Sequence, residues 1–333
     1  MKNLIIRPQG IGDIVLMLPA LRSLCNNYSE DEFVLLCYKG FGQVLPPDLH
    51  VKTIEFPRHA GITETLKLIK KIRKEKFDRV FDLFGNPRTA IQVLFSGIKD
   101  RYGFDNRFRS FVYNHIYQRL QKGKHYHQTE LYCNFFNYFG LKCEYTHPIL
   151  KMPENVIKKA KEAIPQEYAN LKPFVAVNPN STFPTRAWPE KNIIDFINFW
   201  YEKTKVPVML TWGKGEEATS QNIIKKVGSE KAFMHKPVKL NEFVALLSLL
   251  DVFISGDSGP MHMAWATGTK VVSLFGPTTE IDVEPLGEQN ITLVAKEVDC
   301  LRCHKEYCSS KKCMYAITPQ MVIDALEKIK VFP

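Results

Sequence analysis

The stretch from Val252 to Thr278, VFISGDSGPMHMAWATGTKVVSLFGPT, constrains this chain more than any other. Val252 to Ser255 is a short β-branched and aromatic run, as a buried strand requires. Gly256, Asp257, Ser258 and Gly259 make a polar, flexible bend. Pro260 suits the first position of a helix, where its missing N–H costs nothing, and Gly268 is a natural helix stop. Val271 to Phe275 is a second buried strand, and Gly276-Pro277-Thr278 turns the chain again. A helix that begins just past the carboxyl end of a strand marks the place where ligands sit in an open parallel sheet. Free N–H groups at Ser258-Gly259 and the positive end of the helix dipole favour a phosphate there. Asp257 beside that anion site cannot hold the phosphate, but it suits the hydroxyls of a sugar carried on it.

A length of 333 residues predicts two domains of ordinary size, each able to bury its own core. No stretch approaches the roughly 20 apolar residues that span a bilayer. The longest candidate, Phe243 to Ser255, is broken by Asp251. The N-terminus enters a strand at once and lacks a signal-peptide pattern, so the expected location is cytoplasmic. The net charge of +10 is uneven: residues 1–170 hold 26 Lys and Arg against 17 Asp and Glu, the remainder 19 against 18. A basic first half implies an anionic partner there: nucleic acid, an acidic glycolipid or an anionic membrane face. A merely solvated basic surface fits as well.

Asn3 to Arg7 reads as the first strand, followed by the loop Pro8-Gln9-Gly10-Ile11-Gly12-Asp13. Apolar residues at helical spacing then run from Ile14 to Leu24, interrupted or kinked at Pro19. The dinucleotide fingerprint wants a third glycine where Val15 stands, which argues against NAD. Two glycines and an acid at a helix start let backbone approach a ligand and aim a carboxylate at it, although such an Asp is also a common N-cap. Glu32 to Tyr38 and Lys52 to Phe56 are further strands, Glu64 to Lys76 a basic amphipathic helix, and Asp78 to Phe84 a strand ending at Gly85-Asn86-Pro87-Arg88. Arg88, Arg101, Arg107 and Arg109 have the planar fork that suits carboxylate and phosphate. The mixture of cations and aromatics from Arg101 to His127 would also suit nucleic acid. Pro173 to Val177 ends in Asn178-Pro179-Asn180-Ser181-Thr182, then Arg186-Ala187-Trp188-Pro189; hydroxyls followed by a cation make a phosphate cradle. Trp188 reads as core. Pro207 to Thr211 ends in Trp212-Gly213-Lys214-Gly215-Glu216-Glu217, where one acid suits ribose hydroxyls and the other the first turn of a helix. Met261 and His262 follow Pro260; His262 either lines the nucleotide site or packs in the core.

GDSGPMHMA followed by GTKVVSLFGPT resembles the nucleotide-sugar signature of glycosyltransferase family nine, the heptosyltransferase-type enzymes. GIGDIVLMLPALRSL resembles the family's first motif, and Asp78, Asp82, Asn86, Arg88 and Arg101-Tyr102-Gly103 match further elements. The resemblance implies an α/β GT-B fold of two Rossmann-like domains facing across a cleft. The expected division is an acceptor domain at 1–165, a nucleotide-sugar domain at 166–317, and a last helix at 318–333 packing back at the junction. It implies inverting transfer of heptose from ADP-heptose to the inner core of lipopolysaccharide. Asp13 would be the general base, with Gly12, Asn86, Arg88 and Arg101 toward the acceptor. Ser181, Thr182, Arg186, Ser258 and Gly259 would hold the donor diphosphate. Asp257, Glu216, Met261 and His262 would meet the donor sugar and nucleoside. Arg186 stands where the family has Lys, which retains charge but changes shape. The chain contains no Asp-x-Asp triplet, in keeping with catalysis that needs no cofactor. A peripheral contact with the cytoplasmic membrane face is the further partner implied. A different nucleotide-sugar or acceptor, and a non-catalytic nucleic-acid-binding protein, are the competing readings.

Four of the eight cysteines fall in one short run, Cys300, Cys303, Cys308 and Cys313. Four soft ligands on a loop predict a structural zinc site. An iron–sulfur cluster, two disulfides or free thiols are the alternatives, with His304 as a substitute ligand.

Overall fold

The computed structural model describes residues 1–105, 110–118 and 126–332. The chain forms two compact units, Met1–Pro148 and Ile149–Pro333. The first contains β1 (Lys2–Ile6), α1 (Ile11–Asn27), β2 (Glu32–Tyr38), β3 (Val51–Phe56), α2 (Ile62–Glu75), β4 (Arg79–Asp82), α3 (Pro87–Leu94), β5 (Asp100–Phe104), β6 (His115–Tyr117) and α4 (Gln128–Tyr138). The second contains α5 (Glu154–Glu162), β7 (Val175–Asn178), α6 (Glu190–Thr204), β8 (Val208–Leu210), α7 (Glu217–Val227), β9 (Ala232–Met234), α8 (Leu240–Leu247) and β10 (Val252–Gly256). It continues with α9 (Gly259–Ala266), β11 (Lys270–Phe275), β12 (Ile291–Val294), α10 (Lys312–Tyr315) and α11 (Pro319–Lys328).

Each unit is built on one six-stranded sheet with every neighbouring pair parallel. The orders are β3-β2-β1-β4-β5-β6 and β12-β11-β10-β7-β8-β9. Counted within each unit these are the same order, that of a dinucleotide-binding Rossmann sheet. Strand order reverses between β1 and β4, and again between β7 and β10. Register aligns Ile6 with Asp82 and Asn178 with Ser255. The loops that follow those strands therefore emerge side by side, at the crevice where such sheets bind ligands. The central strands β1 and β10 are near-continuous apolar runs, as strands buried on both faces require; Leu4, Ile5, Ile6, Val252, Phe253 and Ile254 are all fully buried.

Helix α1 continues unbroken through Pro19. Its buried residues line both sides of the proline, and packing against α4 holds the helix despite the lost rung. Helix α5 packs against α8, and Ala163 accepts a 2.8 Å bond from Lys236 N. Residues 149–165 thus go with the second unit. Helix α11 buries Val322, Ile323 and Leu326 in that unit's own core, beside Trp188 and Trp200. Each such large side chain contributes about 1.5–3 kcal/mol by leaving water.

Candidate functional site

At the first unit's switch point the chain leaves β1 as Arg7 and re-enters structure at Gly10, the N-cap of α1. Gly10 has φ +80, and a Cβ there would lie 2.0 Å from Asp13 Oδ2. Only glycine leaves room for that carboxylate where it now stands. Asp13 sits in the first turn of α1 and makes no cap bond. Its Oδ1 is held at 2.6 Å by Arg7 Nη2; Arg7 is 11% exposed and Asp13 32%. Burial opposes the charge on Arg7, but neighbouring Tyr132 and Asp13 outweigh it and hold the guanidinium well above its ordinary range. The Arg7 guanidinium also stacks 4.9 Å over Phe84, which follows β4, so this one side chain ties the two switch-point loops together. Arg7 went unrecognised as a site residue in the sequence, where it is only the last residue of a strand.

The β4 loop is shaped by Asp82, which is fully buried. Its Oδ1 accepts from Phe84 N and Gly85 N, and its Oδ2 from the Tyr113 hydroxyl at 2.8 Å. Burial pushes this carboxyl up, against the pull of those donors. Asn86 caps α3 through Thr89 N at 2.8 Å. Arg88, the second residue of α3, bonds Arg58 O. Gly12 is buried in the first turn of α1 and can offer only backbone. Arg101 is not gathered into this group. Its guanidinium is committed to the carbonyls of Val112 and Ile98, at 2.6 and 3.1 Å, near the start of β5. Arg107 and Arg109 lie outside the described residues.

The second switch point is knitted by Asn178, whose Nδ2 reaches Asn180 O, Ser255 Oγ and Ser258 Oγ at 3.0, 3.3 and 3.4 Å. Ser258 is the N-cap of α9 but makes no side-chain cap bond. Its hydroxyl turns instead to Ser255 Oγ at 2.9 Å. The first-turn N–H donors of α9, at Gly259 and Met261, therefore face no side-chain cap. Met261 is fully buried and can present only that N–H. Asp257, 10% exposed, binds Arg186 Nη1 at 2.9 Å; Arg186 is 31% exposed and also stacks on Phe183. Gly256 must be glycine, because a Cβ there would lie 2.1 Å from the Arg186 carbonyl. His262 is nearly buried, with Nε2 4.0 Å from Asp257 Oδ1. Ser181 is half-buried and Thr182 exposed in the loop after β7. Beyond β8, Glu216 Oε2 accepts from Gly213 N at 2.9 Å and closes that turn, while Glu217 begins α7.

The expected zinc site is not formed. Among the described residues no three His, Cys, Asp or Glu side chains are placed to share a metal ion. Cys303 is exposed while Cys313 is buried against Gly276. Burial raises the Cys313 thiol, whereas bonds to Ser310 and nearby backbone lower that of Cys308. The run instead serves as backing. Arg302 N bonds Gly276 O at 2.8 Å, and Thr185 Oγ1 bonds Lys305 O at 2.8 Å, which braces the loop that carries Arg186.

The family model of glycosyltransferase family 9 (heptosyltransferase) matches residues 65–314. The chain belongs to glycosyltransferase family 9. It is a glycosyltransferase with the GT-B fold. It is 26% identical over 341 residues to lipooligosaccharide heptosyltransferase 2 of Campylobacter jejuni, with 99% of each chain covered. Its structure is similar to that of E. coli ADP-heptose lps heptosyltransferase II, with TM-score 0.80 and 21% identity, covering 99% of this chain and 98% of that one. It is also similar to E. coli heptosyltransferase WaaC with ADP-2-deoxy-2-fluoro heptose, with TM-score 0.73 and 18% identity, covering 98% and 99%. Among the described residues no helix of this family 9 enzyme is long and apolar enough to cross a membrane.

Proposed function

We propose that this enzyme transfers heptose from ADP-heptose to the inner core of lipopolysaccharide, in the cytoplasm, with inversion at the anomeric carbon. The observation that carries the reading is the opposite exposure of two ion pairs. The first unit buries its arginine and presents a carboxylate, Asp13; the second buries its carboxylate and presents an arginine, Arg186. A presented carboxylate is a general base and a presented arginine is a diphosphate ligand.

Asp13 takes the proton from the acceptor hydroxyl while that oxygen bonds to the anomeric carbon. The bond from that carbon to the diphosphate oxygen breaks, and ADP leaves. One displacement of this kind inverts configuration. Arg186, Ser181, Thr182 and the α9 amides at Ser258-Gly259 stabilise the charge that grows on the departing diphosphate. Asp257 orients the sugar, with His262 beside it, and Glu216 binds the ribose hydroxyls. Asn86 and Arg88 lie toward the acceptor, which is anionic as the basic first half requires. Arg7 acts through Asp13 as a positioning residue.

Calorimetry and turnover with ADP-, UDP- and GDP-linked sugars test the donor. ADP-heptose is expected to bind tightest and to be the one transferred. A UDP- or GDP-sugar that binds and turns over better would replace the heptosyl reading with another family 9 transfer.

A further inference from the structure

Two neighbouring helices of the first unit carry an outward apolar face that stays exposed among the described residues. On α3, Thr89, Ala90, Gln92 and Val93 turn inward, whereas Ile91, Leu94 and the C-cap Phe95 are exposed, Phe95 by 56%. Helix α2 packs beside α3, and its Ile62 and Leu66, one turn apart, are exposed by 81% and 54%. The short turn Ser110–Val112 also contacts α3 and exposes Phe111 by 75%. Isolated exposed apolar residues are ordinary, but a run of them over three contiguous elements marks an interaction surface.

The exposed charge along α2 beside this surface is mainly positive. Below Leu66, α2 exposes Lys67, Lys70, Lys71, Arg73 and Lys74. The two acids of the helix are engaged elsewhere: Glu64 caps Gly61 N, and Glu75 pairs with Lys2. We propose that the α2–α3–Phe111 surface docks on an anionic lipid bilayer, with Ile62, Leu66, Ile91, Leu94, Phe95 and Phe111 entering the acyl boundary and the α2 lysines on the headgroups. Lipid accepts both parts of the surface: apolar side chains gain by leaving water, and lysine stems reach up to phosphate. A nucleic acid would take the cations but leave Ile91 and Leu94 in water. A second copy paired about a two-fold axis would bring the α2 cations toward one another, and protein–protein interfaces are depleted of lysine.

The surface lies close to the proposed chemistry. Helix α3 starts at the Asn86 loop, and eight residues of helix are about 12 Å long. An enzyme held by the far end of α3 would keep its acceptor loop within reach of a lipid-anchored saccharide. That last step rests on the acceptor reading of the previous section; the docking itself does not.

The test is co-sedimentation of the full chain with vesicles of phosphatidylcholine alone or mixed with phosphatidylglycerol, at low and high salt. The expected result is partition into the phosphatidylglycerol vesicles that salt weakens. The paired substitutions Ile91→Ser with Phe95→Ser, and Lys70→Glu with Lys74→Glu, should each weaken it by roughly tenfold or more. Turnover on a delipidated saccharide acceptor should be unchanged in both. The proposal is overturned if both variants partition like the wild type. It is equally overturned if the protein ignores vesicles but binds oligonucleotides, or forms a dimer that the Ile91/Phe95 variant dissociates. Vesicle binding without any transfer from ADP-heptose would uphold the surface and remove the acceptor reading alone.

Discussion

The two units repeat one sheet order, yet their switch points are electrically reversed. In the first, a guanidinium buried among Tyr132 and Phe84 holds out Asp13; in the second, Asp257 sits in the wall and holds out Arg186. A shared topology fixes where a ligand can sit. Which member of the ion pair faces outward decides what that place can do. A buried partner costs desolvation and gains fixed geometry, so each pair serves to aim one group.

The sharpest way to break this comparison is to neutralise the two carboxylates in turn. Asp13→Asn should lower kcat about 10³-fold, the size expected for losing a general base, and leave the ADP-heptose dissociation constant within about twofold. Asp257→Asn should weaken donor binding, because it frees Arg186 and removes the sugar's anchor. Similar losses of donor affinity in both variants would mean that the units do not divide the labour as proposed.

Next come the two arginines. Arg186→Met should lose about 2–3 kcal/mol of transition-state stabilisation together with donor affinity, and Arg186→Lys should recover part of both. Arg7→Met should lower kcat while sparing donor affinity. In an Asp13→Asn background it should lower kcat no further, since a residue that works only through Asp13 is non-additive with it. Independent, multiplying losses in the double variant would give Arg7 a separate role.

The two tight glycines sharpen the contrast. An alanine at Gly256 meets the Arg186 main-chain carbonyl, which cannot swing aside. Gly256→Ala should therefore cost about 2–3 kcal/mol of stability, read from the urea midpoint. At Gly10 the obstacle is the Asp13 side chain, which can move, and the left-handed backbone adds about 1–2 kcal/mol. Gly10→Ala should thus lose most of its turnover while staying folded. A variant of Gly10 with full activity would show that the position of Asp13 over that glycine is unimportant.

What could be read from the chain beforehand was what is local. The β10–α9–β11 stretch and the Gly10–Asp13 loop declare themselves because glycine, proline and a strand run lie next to each other in sequence. Helix α3 was hidden because Pro87 and Arg88 look like loop residues until Asn86 caps them. The edge strands β6, β9 and β12 are three or four residues long and too short to show a period. The division near 148 depends on α5 meeting α8, a partner some eighty residues away that periodicity does not reveal. Residue type also says nothing of prior engagement. Arg101 has the fork that suits an anion, but backbone carbonyls occupy it. The cysteine spacing promises ligands, but the fold turns Cys313 inward and leaves Cys303 outside.

The smallest expected effect is acid sensitivity confined to the second unit. His235, at the end of β9, is 3% exposed and stacks on Trp212 with centroids 5.4 Å apart. Its Nδ1 lies 2.7 Å from Lys236 O and Nε2 accepts from Trp212 N at 3.4 Å, an arrangement that suits the neutral ring protonated on Nδ1. Burial lowers its pKa, with the Lys236 bond opposing in part. The unfolded chain then binds this proton more readily than the folded one. Stability is fully present above the unfolded value of about 6.5 and is lost as pH falls through the folded value, each tenfold difference in proton affinity being worth about 1.4 kcal/mol. Urea midpoints between about pH 7 and pH 5 should fall for the wild type, and by less for His235→Gln, which cannot take up the proton. Equal slopes would assign the acid loss to groups other than His235.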